Sequence, residues 1–404
     1  MSKKIGVAVR YAGMCALSLF LLSCGSSSSR PSGLLYVLTQ GNNGVGNNVT
    51  SYAIDLGNGA LSEINSNAST CATGSACGAP LSIVLDPTGA VAFVLSQGAI
   101  SSYKVNSDGS LGSPTTTTPW GNDIAVGMTR DAGGTFLYVI TQAPDIFVFS
   151  TTPGSQSLTP VSNGGLNGGF DLTRNPTALS AITLTSSVEE LLFVTSNHDF
   201  SLNHNDNTLS VYGVASDGTL SEQTGSPYTT PTIDPLTVLA VNTNLTGQNS
   251  APVFVYSGAM GNASGAVDAF QLCTTVNSTT CSQTDVNNAK LLPVGTPTPA
   301  GQEPVGMVVD PTNNFLYVVA EQSNQLFGFK INSAGTLSPL SPASLPTGTT
   351  PVALAMHSTG KFLYTSNTNS NNISPFTLST TSGSMAAAAS AVNTPSVPSG
   401  MTAR

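Results

Sequence analysis

One short stretch gathers the side chains best suited to acid–base or metal chemistry. The segment Asn197–Asn207 holds His198 and His204 together with Asp199 and Asp206. Imidazole titrates near neutral pH and a neighbouring carboxylate can orient it, so these residue types suit a general base or a metal ligand. The six-residue step between the histidines matches no standard metal motif, and a solvated hairpin loop explains the same composition. The sequence leaves both interpretations open.

Other familiar reactive motifs are missing from the sequence. The glycine-rich segment Asn163–Gly169 lacks the Lys-Ser/Thr pair and the following helix of a phosphate-binding loop, so it is predicted to be a flexible loop. No Gly-x-Ser-x-Gly stands in the context of a nucleophile elbow. No resident cofactor is therefore predicted.

Four cysteines fall into two close pairs. Cys71 and Cys77 form one pair, and Cys273 and Cys281 form the other. No histidine lies near either pair, which disfavours a zinc site. Local pairs in even number are typical of disulfides in an oxidising compartment. We therefore predict two structural bridges, each clasping a short loop.

The segment Glu303–Ser338 contains the unit from which the chain is built. Its apolar runs are Val305–Val309, Phe315–Val319 and Leu326–Ile331, and a fourth begins at Thr336. Runs rich in β-branched and aromatic residues, separated by Pro, Asn, Asp and Gly, predict strands joined by tight turns. One such four-stranded sheet cannot bury its own apolar faces, so it requires neighbouring copies.

The chain supplies those copies. An aromatic residue of the second strand recurs at steps of 57, 45, 55, 61, 63 and 47 residues. The series is Tyr36, Phe93, Tyr138, Phe193, Phe254, Tyr317 and Tyr364. This period, with four strands in each unit, predicts an all-β fold: a seven-bladed β-propeller of four-stranded antiparallel blades.

The two ends of the sequence predict how the ring closes. Pro398–Arg404 matches the inner-strand segment Pro304–Asp310, and Arg30–Tyr36 matches the residues that follow it. We therefore expect the C-terminal inner strand to pair with the N-terminal strands, which leaves no open sheet edge. Met385–Ala389 has helical propensity, but the repeat register predicts a fourth strand there. A single domain over residues 31–404 follows.

In such a ring, the loops from fourth to first strand and from second to third strand open on one face, called the top, where ligands usually bind. Arg174 is the one basic residue predicted on this rim. The acids predicted there are Asp123, Asp145, Asp171, Asp199, Asp206, Asp234, Glu303 and Glu321. Together they predict a negative electrostatic potential around the mouth of the channel on the top face. A phosphate site needs several cationic groups or oriented amides, so a neutral ligand or a cation such as calcium fits this rim better.

The first residues have the features of an N-terminal signal sequence for export. Lys3, Lys4 and Arg10 precede an apolar stretch too short to span a bilayer. The stretch ends in Leu21–Gly25, which resembles the bacterial lipobox. The resemblance implies a signal peptide over residues 1–23, lipid modification of Cys24 and a tether over residues 24–30; the alternative is an ordinary cleavable signal, with export in either case. Such a lipoprotein would be exported and anchored to the bacterial cell envelope, on the periplasmic or outer-membrane side, with its top face away from the membrane.

The charge balance of the mature chain limits its partners. Removing Lys3, Lys4 and Arg10 from the 11 basic residues leaves 8 against 20 acidic ones, a formal charge of −12. Nucleic acid and anionic lipid are unsuitable partners for such a surface. A monomer is expected.

The blade unit Asp310–Val318 and its copies resemble the seven-bladed lactonase-type propellers, the family of 6-phosphogluconolactonase-like and YVTN-type proteins. The resemblance implies this fold and, more weakly, hydrolysis of a sugar lactone. Glu321 is similar to the glutamate of an Asn-Glu pair that recurs in the family after the second strand. Family members tend to carry His or Arg directly after the inner-strand proline. The matching positions here are Leu81, Thr177, Leu236, Val305, Val352 and Ser399.

Two hypotheses about function follow. The first is a membrane-anchored propeller whose top face binds a protein partner, a glycan or a cation. The alternative is a lactone hydrolase, in which Glu321 or Glu303 acts as general base and Arg174 or His198 polarises the carbonyl.

Overall fold

A computed structural model gives the fold of the chain. It describes residues 32–41, 46–75, 77–117, 120, 123–165, 168–172, 174–184, 189–197, 207–242, 252–262, 264–276 and 280–404. The predicted signal peptide, Cys24 and the histidine-containing segment 198–206 lie outside these residues. No helix in the described part of the chain is long and apolar enough to cross a membrane.

The strands form seven antiparallel sheets, which are the seven predicted blades. From the axis outwards, blade 1 contains β32 (Val397–Ala403), β1 (Leu34–Gln40), β2 (Asn48–Ile54) and β3 (Leu61–Ser69). Blade 2 contains β4 (Pro80–Leu85), β5 (Val91–Ser96), β6 (Ala99–Lys104) and β7 (Thr115–Thr117). Blade 3 contains β8 (Ala125–Arg130), β9 (Phe136–Thr141), β10 (Asp145–Ser150) and β11 (Thr159–Val161), with β12 (Phe170–Asp171) beside β10.

The remaining blades repeat this order. Blade 4 contains β13 (Pro176–Leu184), β14 (Glu189–Ser196), β15 (Thr208–Val214), β16 (Leu220–Glu222) and β17 (Tyr228–Thr229). Blade 5 contains β18 (Pro235–Asn242), β19 (Val253–Ala259), β20 (Gly265–Leu272), β21 (Leu291–Pro293) and β22 (Thr298–Gly301). Blade 6 contains β23 (Pro304–Val309), β24 (Phe315–Ala320), β25 (Gln325–Ile331) and β26 (Leu337–Pro346). Blade 7 contains β27 (Pro351–Met356), β28 (Phe362–Asn367), β29 (Asn372–Leu378), β30 (Met385–Ala387) and β31 (Val392–Asn393).

The ring closes as predicted. The first strands of the blades contact one another in cyclic order, from β32 through β4, β8, β13, β18, β23 and β27 back to β32. β32 pairs with β1, and the amides of Leu34 and Arg404 each donate to the other's carbonyl, at 3.0 and 2.9 Å. The fourth strand predicted at Met385 is also confirmed, as β30. Because each blade packs on two neighbours, second strands such as β9 and β24 are buried at every residue.

A hydroxyl contact repeats between neighbouring blades. The second-strand tyrosine donates to a glycine carbonyl in the third-to-fourth-strand turn of the next blade. The pairs are Tyr36 with Gly109, Tyr256 with Gly335, Tyr317 with Gly383, and Tyr364 with Gly59, at 2.8 to 3.0 Å. The register shows that blade 5 contributes Tyr256, so the expectation of Phe254 at this position was wrong. We call this contact the tyrosine latch.

Blade 5 also carries a feature that the repeat did not predict. A short helix, α1 (Gln283–Asn287), has Ser282 as its N-cap residue. The Ser282 hydroxyl accepts a hydrogen bond from the Asp285 backbone N–H, and the Asp285 carboxylate accepts one from the Ser282 backbone N–H. Lys290 adds an ion pair to Asp285 at 2.9 Å. The helix follows the Cys273–Cys281 loop at the bottom of the blade. Both predicted disulfides, Cys71–Cys77 and Cys273–Cys281, are present.

Candidate functional site at the channel mouth

Each inner strand begins on the top face with a kink of the same kind. In all seven blades the pairing of the first and second strands shifts by one residue near its top end, directly after the first pair in blades 2 to 7 and after the second pair in blade 1. Such a β-bulge re-aims the extra side chain, and bulges are enriched beside functional sites. The extra residues are Ser399, Leu81, Val126, Thr177, Leu236, Val305 and Val352, in blade order. We call them the bulge ring.

The bulge ring is mainly aliphatic. Five of its members are Leu or Val, and all seven are half-buried. Leu236, Val305 and Val352 belong to none of the hydrophobic clusters between the described blades. These are the positions where the resemblance implies His or Arg. The mouth of the channel therefore offers apolar surface in place of the positive charge expected for a sugar-phosphate lactonase.

A cavity of about 600 Å³ opens beside one arc of this ring, a volume in the range of small-molecule sites. Its lining residues are Val126, Gln142, Asn175, Pro176, Thr177, Leu236 and Val305. The Asn175 amide donates to the Asn197 side chain at 2.9 Å, and the Thr177 hydroxyl donates to the Pro235 carbonyl at 2.8 Å. Gln142 is exposed. The cavity thus has an aliphatic wall and a short polar edge.

A second ring of residues surrounds the mouth at the ends of the second strands. Gln40 is the last residue of β1, and the other members directly follow their strands: Gln97, Gln142, Asn197, Met260, Glu321 and Thr368. The backbone amides of these six donate to the carbonyl directly before the inner strand of the same blade. This bond joins Glu321 to Glu303 at 2.8 Å and Gln142 to Ile124 at the same distance. Glu321 is therefore a carboxylate at a position where four other blades carry carboxamides.

Glu321 has the electrostatic character of a base. Burial, and after it the negative charge of Glu303, raises the pKa of the Glu321 carboxyl. No hydrogen bond to this carboxylate occurs among the described residues. Glu303 adopts a left-handed backbone (φ of 60°) directly before Pro304, an unfavourable conformation that the surrounding rim must hold. A half-buried carboxylate with a raised pKa is a stronger base than a solvated one, so it is better suited to take a proton from water.

Arg174 lies apart from the two glutamates. Its guanidinium pairs with Glu222 of β16, in the outer part of blade 4, at 3.3 Å. Arg174 does not line the cavity, although its neighbour Asn175 does. The structure therefore brings Glu303 and Glu321 together, but it does not place Arg174 with them. The polarising role of Arg174 stays a prediction, as does that of His198, which lies outside the described residues.

The acids of the top rim in blade 3 form a close pair. Asp145 on β10 lies opposite Asp171 on β12. Burial first, and then the hydrogen bond and charge of Asp171 and the charge of Asp123, raise the pKa of Asp145 to about 7. In the part of the chain that the structure describes, no group of three or more His, Cys, Asp or Glu is arranged to hold a metal ion.

Sequence reasoning missed Gln142 and Asn175 as cavity residues. A signal for Gln142 was present, because Gln97, Gln142 and Glu321 each directly follow a second strand and Gln40 is the last residue of one. Aligning the repeats on the strand end, instead of on the aromatic residue, brings these positions together. Asn175 offers no comparable signal, since the residue before the inner strand differs in chemistry from blade to blade.

Comparison with known proteins agrees with this architecture. Residues 259–400 match the profile of a family described as "Lactonase, 7-bladed beta-propeller". Sequence comparison with curated proteins finds no match.

Solved structures match the whole ring. A candidate 6-phosphogluconolactonase from Bacteroides uniformis is 15% identical with a TM-score of 0.65, and the match covers 92% of this chain and 99% of that one. A periplasmic gluconolactonase from Pseudomonas aeruginosa is 18% identical with a TM-score of 0.65, covering 91% and 98%. At such identities the structures show the fold alone. The chain therefore has the fold of the seven-bladed lactonase-type propellers, and residues 259–400 carry the sequence pattern of that family.

Proposed function

We propose that this protein is an exported hydrolase of uncharged lactones, acting at the channel mouth with Glu321 as general base. The observation that carries the proposal is the half-buried Glu321 carboxylate, whose pKa is raised beside Glu303. Val305, two residues after Glu303, lines the cavity. The family resemblance supports a lactone as substrate.

The reaction needs few groups from the protein. The Glu321 carboxylate takes a proton from water while the water oxygen attacks the lactone carbonyl carbon. The ring C–O bond then breaks, and the departing oxygen takes the proton that Glu321 received, which gives a hydroxy acid and restores the carboxylate. The exposed carboxamide of Gln142 could donate to the carbonyl oxygen, where negative charge develops.

Charge supports an uncharged substrate. Phosphate recognition uses several cationic groups or oriented amides. Among the described residues that line the cavity none is basic, and Arg174 is engaged by Glu222. The carboxylates of Glu303 and Glu321 would also repel a phosphate group.

Replacing Glu321 tests the mechanism. Glu321→Gln removes the proton acceptor but keeps the shape, so we expect kcat for a neutral lactone to fall by about 10²–10⁴. Asp234→Asn is the matched control, because Asp234 occupies the position of Glu303 in blade 5, with a φ of 53°. Its kcat should stay close to that of the parent. Equal activity of Glu321→Gln and parent protein would contradict the assignment.

Export is supported by the two disulfides, which persist in oxidising compartments. Anchoring through Cys24 is part of this proposal. The first described residues, Ser32 and Gly33, enter the ring at the bottom beside Arg404, so a tether there would turn the cavity away from the membrane. We expect Cys24→Ala to shift the protein from the membrane fraction to the soluble fraction. Retention of that variant on the membrane would contradict lipid anchoring.

A second candidate function is binding without turnover. The aliphatic bulge ring favours it, because the family's basic side chains are replaced there. The bound partner would be a glycan, a surface protein or a cation, as the acidic rim allows. If no lactone is turned over while one of these raises the melting temperature, the binding function replaces the enzymatic one.

A further inference from the structure

We infer that the substrate is a lactone carrying an alkyl substituent, and that the alkyl chain lies against the aliphatic wall of the cavity. This inference rests on the proposed function and names the substrate class of the same site.

The wall is created by the backbone. The bulge at the start of β8, β18 and β23 adds one residue to the inner strand and re-aims its side chain. Those residues are Val126, Leu236 and Val305, and all three line the cavity together with the Pro176 ring. Because Leu236 and Val305 belong to no core cluster among the described residues, their side chains are not needed to hold blades together. They offer apolar surface to a ligand.

The polar edge matches one carbonyl better than several hydroxyls. The Thr177 hydroxyl already donates to the Pro235 carbonyl, and an amide hydrogen of Asn175 is taken by Asn197. Among the described lining residues, the Gln142 side chain has two uncommitted N–H donors and the Asn175 side chain has one. A polyhydroxylated sugar lactone would press hydroxyl groups against aliphatic side chains and lose their hydrogen bonds to water without replacement. An alkyl chain gains from the same contact.

A chain-length series tests the inference. Purified protein is given glucono-δ-lactone and γ- and δ-lactones whose alkyl chains grow one carbon at a time. We expect kcat/KM to rise about fourfold for each added methylene as long as the alkyl chain still contacts the aliphatic wall of the cavity. Glucono-δ-lactone should be the poorest substrate.

Two valines provide a matched pair of variants. Val305 and Val352 hold the same bulge position in adjacent blades, but Val305 lines the cavity and Val352 does not. Val305→Thr keeps the shape while adding a hydroxyl, so the gain per methylene should shrink. Val352→Thr should leave it unchanged. Leu236→Asn, with folding verified by its melting temperature, extends the test to the larger side chain.

The outcomes separate this inference from the proposed function. If glucono-δ-lactone is turned over as well as the alkyl lactones, or if Val305→Thr and Val352→Thr behave alike, the alkyl assignment is overturned while lactone hydrolysis stands. If no lactone is turned over, or if Glu321→Gln retains full activity, the proposed function fails and this inference fails with it.

Discussion

Two kinds of contact join neighbouring blades in this ring. At four described interfaces, including those of Tyr256 with Gly335 and Tyr317 with Gly383, the tyrosine latch ends on a backbone carbonyl. At the interface between blades 3 and 4, the Tyr138 hydroxyl donates instead to the carboxyl group of Glu190 on β14. The phenyl ring of Phe136 still packs close to Gly218 there, as that of Phe254 does to Gly335. Among the described interfaces that carry this tyrosine, the exchanged acceptor is therefore the departure from the repeat.

The difference matters because a backbone carbonyl does not titrate, whereas a carboxyl group gains or loses a proton as the pH changes. Glu190 is only 9% exposed. Burial, with a contribution from Asp131, raises the pKa of Glu190 to about 7, although the hydrogen bond from Tyr138 opposes that rise. The same fold thus contains several pH-independent interfaces and one whose strength depends on protonation.

Steric contact at the glycine of the latch gives the largest expected effect. Gly335 and Gly154 both have a φ of +83°, but a Cβ on Gly335 would lie 2.4 Å from the Phe254 ring, whereas one on Gly154 would meet nothing within 4 Å. We expect Gly335→Ala to lower the free energy of unfolding by about 2–5 kcal/mol. Gly154→Ala should cost about 1 kcal/mol, from backbone strain alone. Urea denaturation measures both, and equal losses would show that the latch glycine is not tightly packed.

The Glu190 interface should respond to pH. Because its pKa rises from 4.5 in the unfolded chain to about 7 in the folded protein, the folded state holds the proton more tightly. Stability is then full below about pH 4.5 and falls as the pH rises through 7, by on the order of 2 kcal/mol. Glu190→Gln should remove this loss and be more stable than the parent at pH 8.

Asp145 contributes in the same direction, since its pKa is also raised to about 7. Melting temperatures of Asp145→Asn should therefore be measured over the same pH range, to separate the contribution of Asp145 from that of Glu190. If Glu190→Gln loses stability between pH 5 and pH 8 as steeply as the parent, the carboxyl group at this interface does not titrate as described.

The hydroxyl itself gives the smallest effect. Tyr317→Phe removes the bond to Gly383 and should cost about 1 kcal/mol at any pH. Tyr138→Phe should cost a similar amount at low pH, and it should also raise the pKa of Glu190 further, because the bond that favours its charged form is lost. The two variants differ in the slope of stability against pH, which thermal unfolding at several pH values would detect.

Much of this ring could be predicted from the repeat. The turn residues and apolar runs predicted the blades. The matching ends of the sequence predicted the pairing of β32 with β1, and the close cysteine pairs predicted both disulfides. The aromatic register failed in blade 5 because Phe254 and Tyr256 lie on the same side of β19, and a period of two cannot choose between them.

The site was harder to predict for a physical reason. A β-bulge leaves no mark in composition, so the arrangement of Val126, Leu236 and Val305 around one cavity follows only from strand pairing. Glu190 meets Tyr138 across 52 positions of sequence and two blades, a contact that no local pattern indicates. Glu321 was found through its similarity to the glutamate of the Asn-Glu pair that recurs after the second strand in lactonase-type propellers.

The position of β32 also affects how the chain is made. This strand leaves the ribosome after every other strand, yet it must pair with β1, which emerges before them. Until then β1 presents an unpaired row of amides and carbonyls, a template for association with other chains. During synthesis, we therefore expect a chaperone to shield this edge until the final strand arrives.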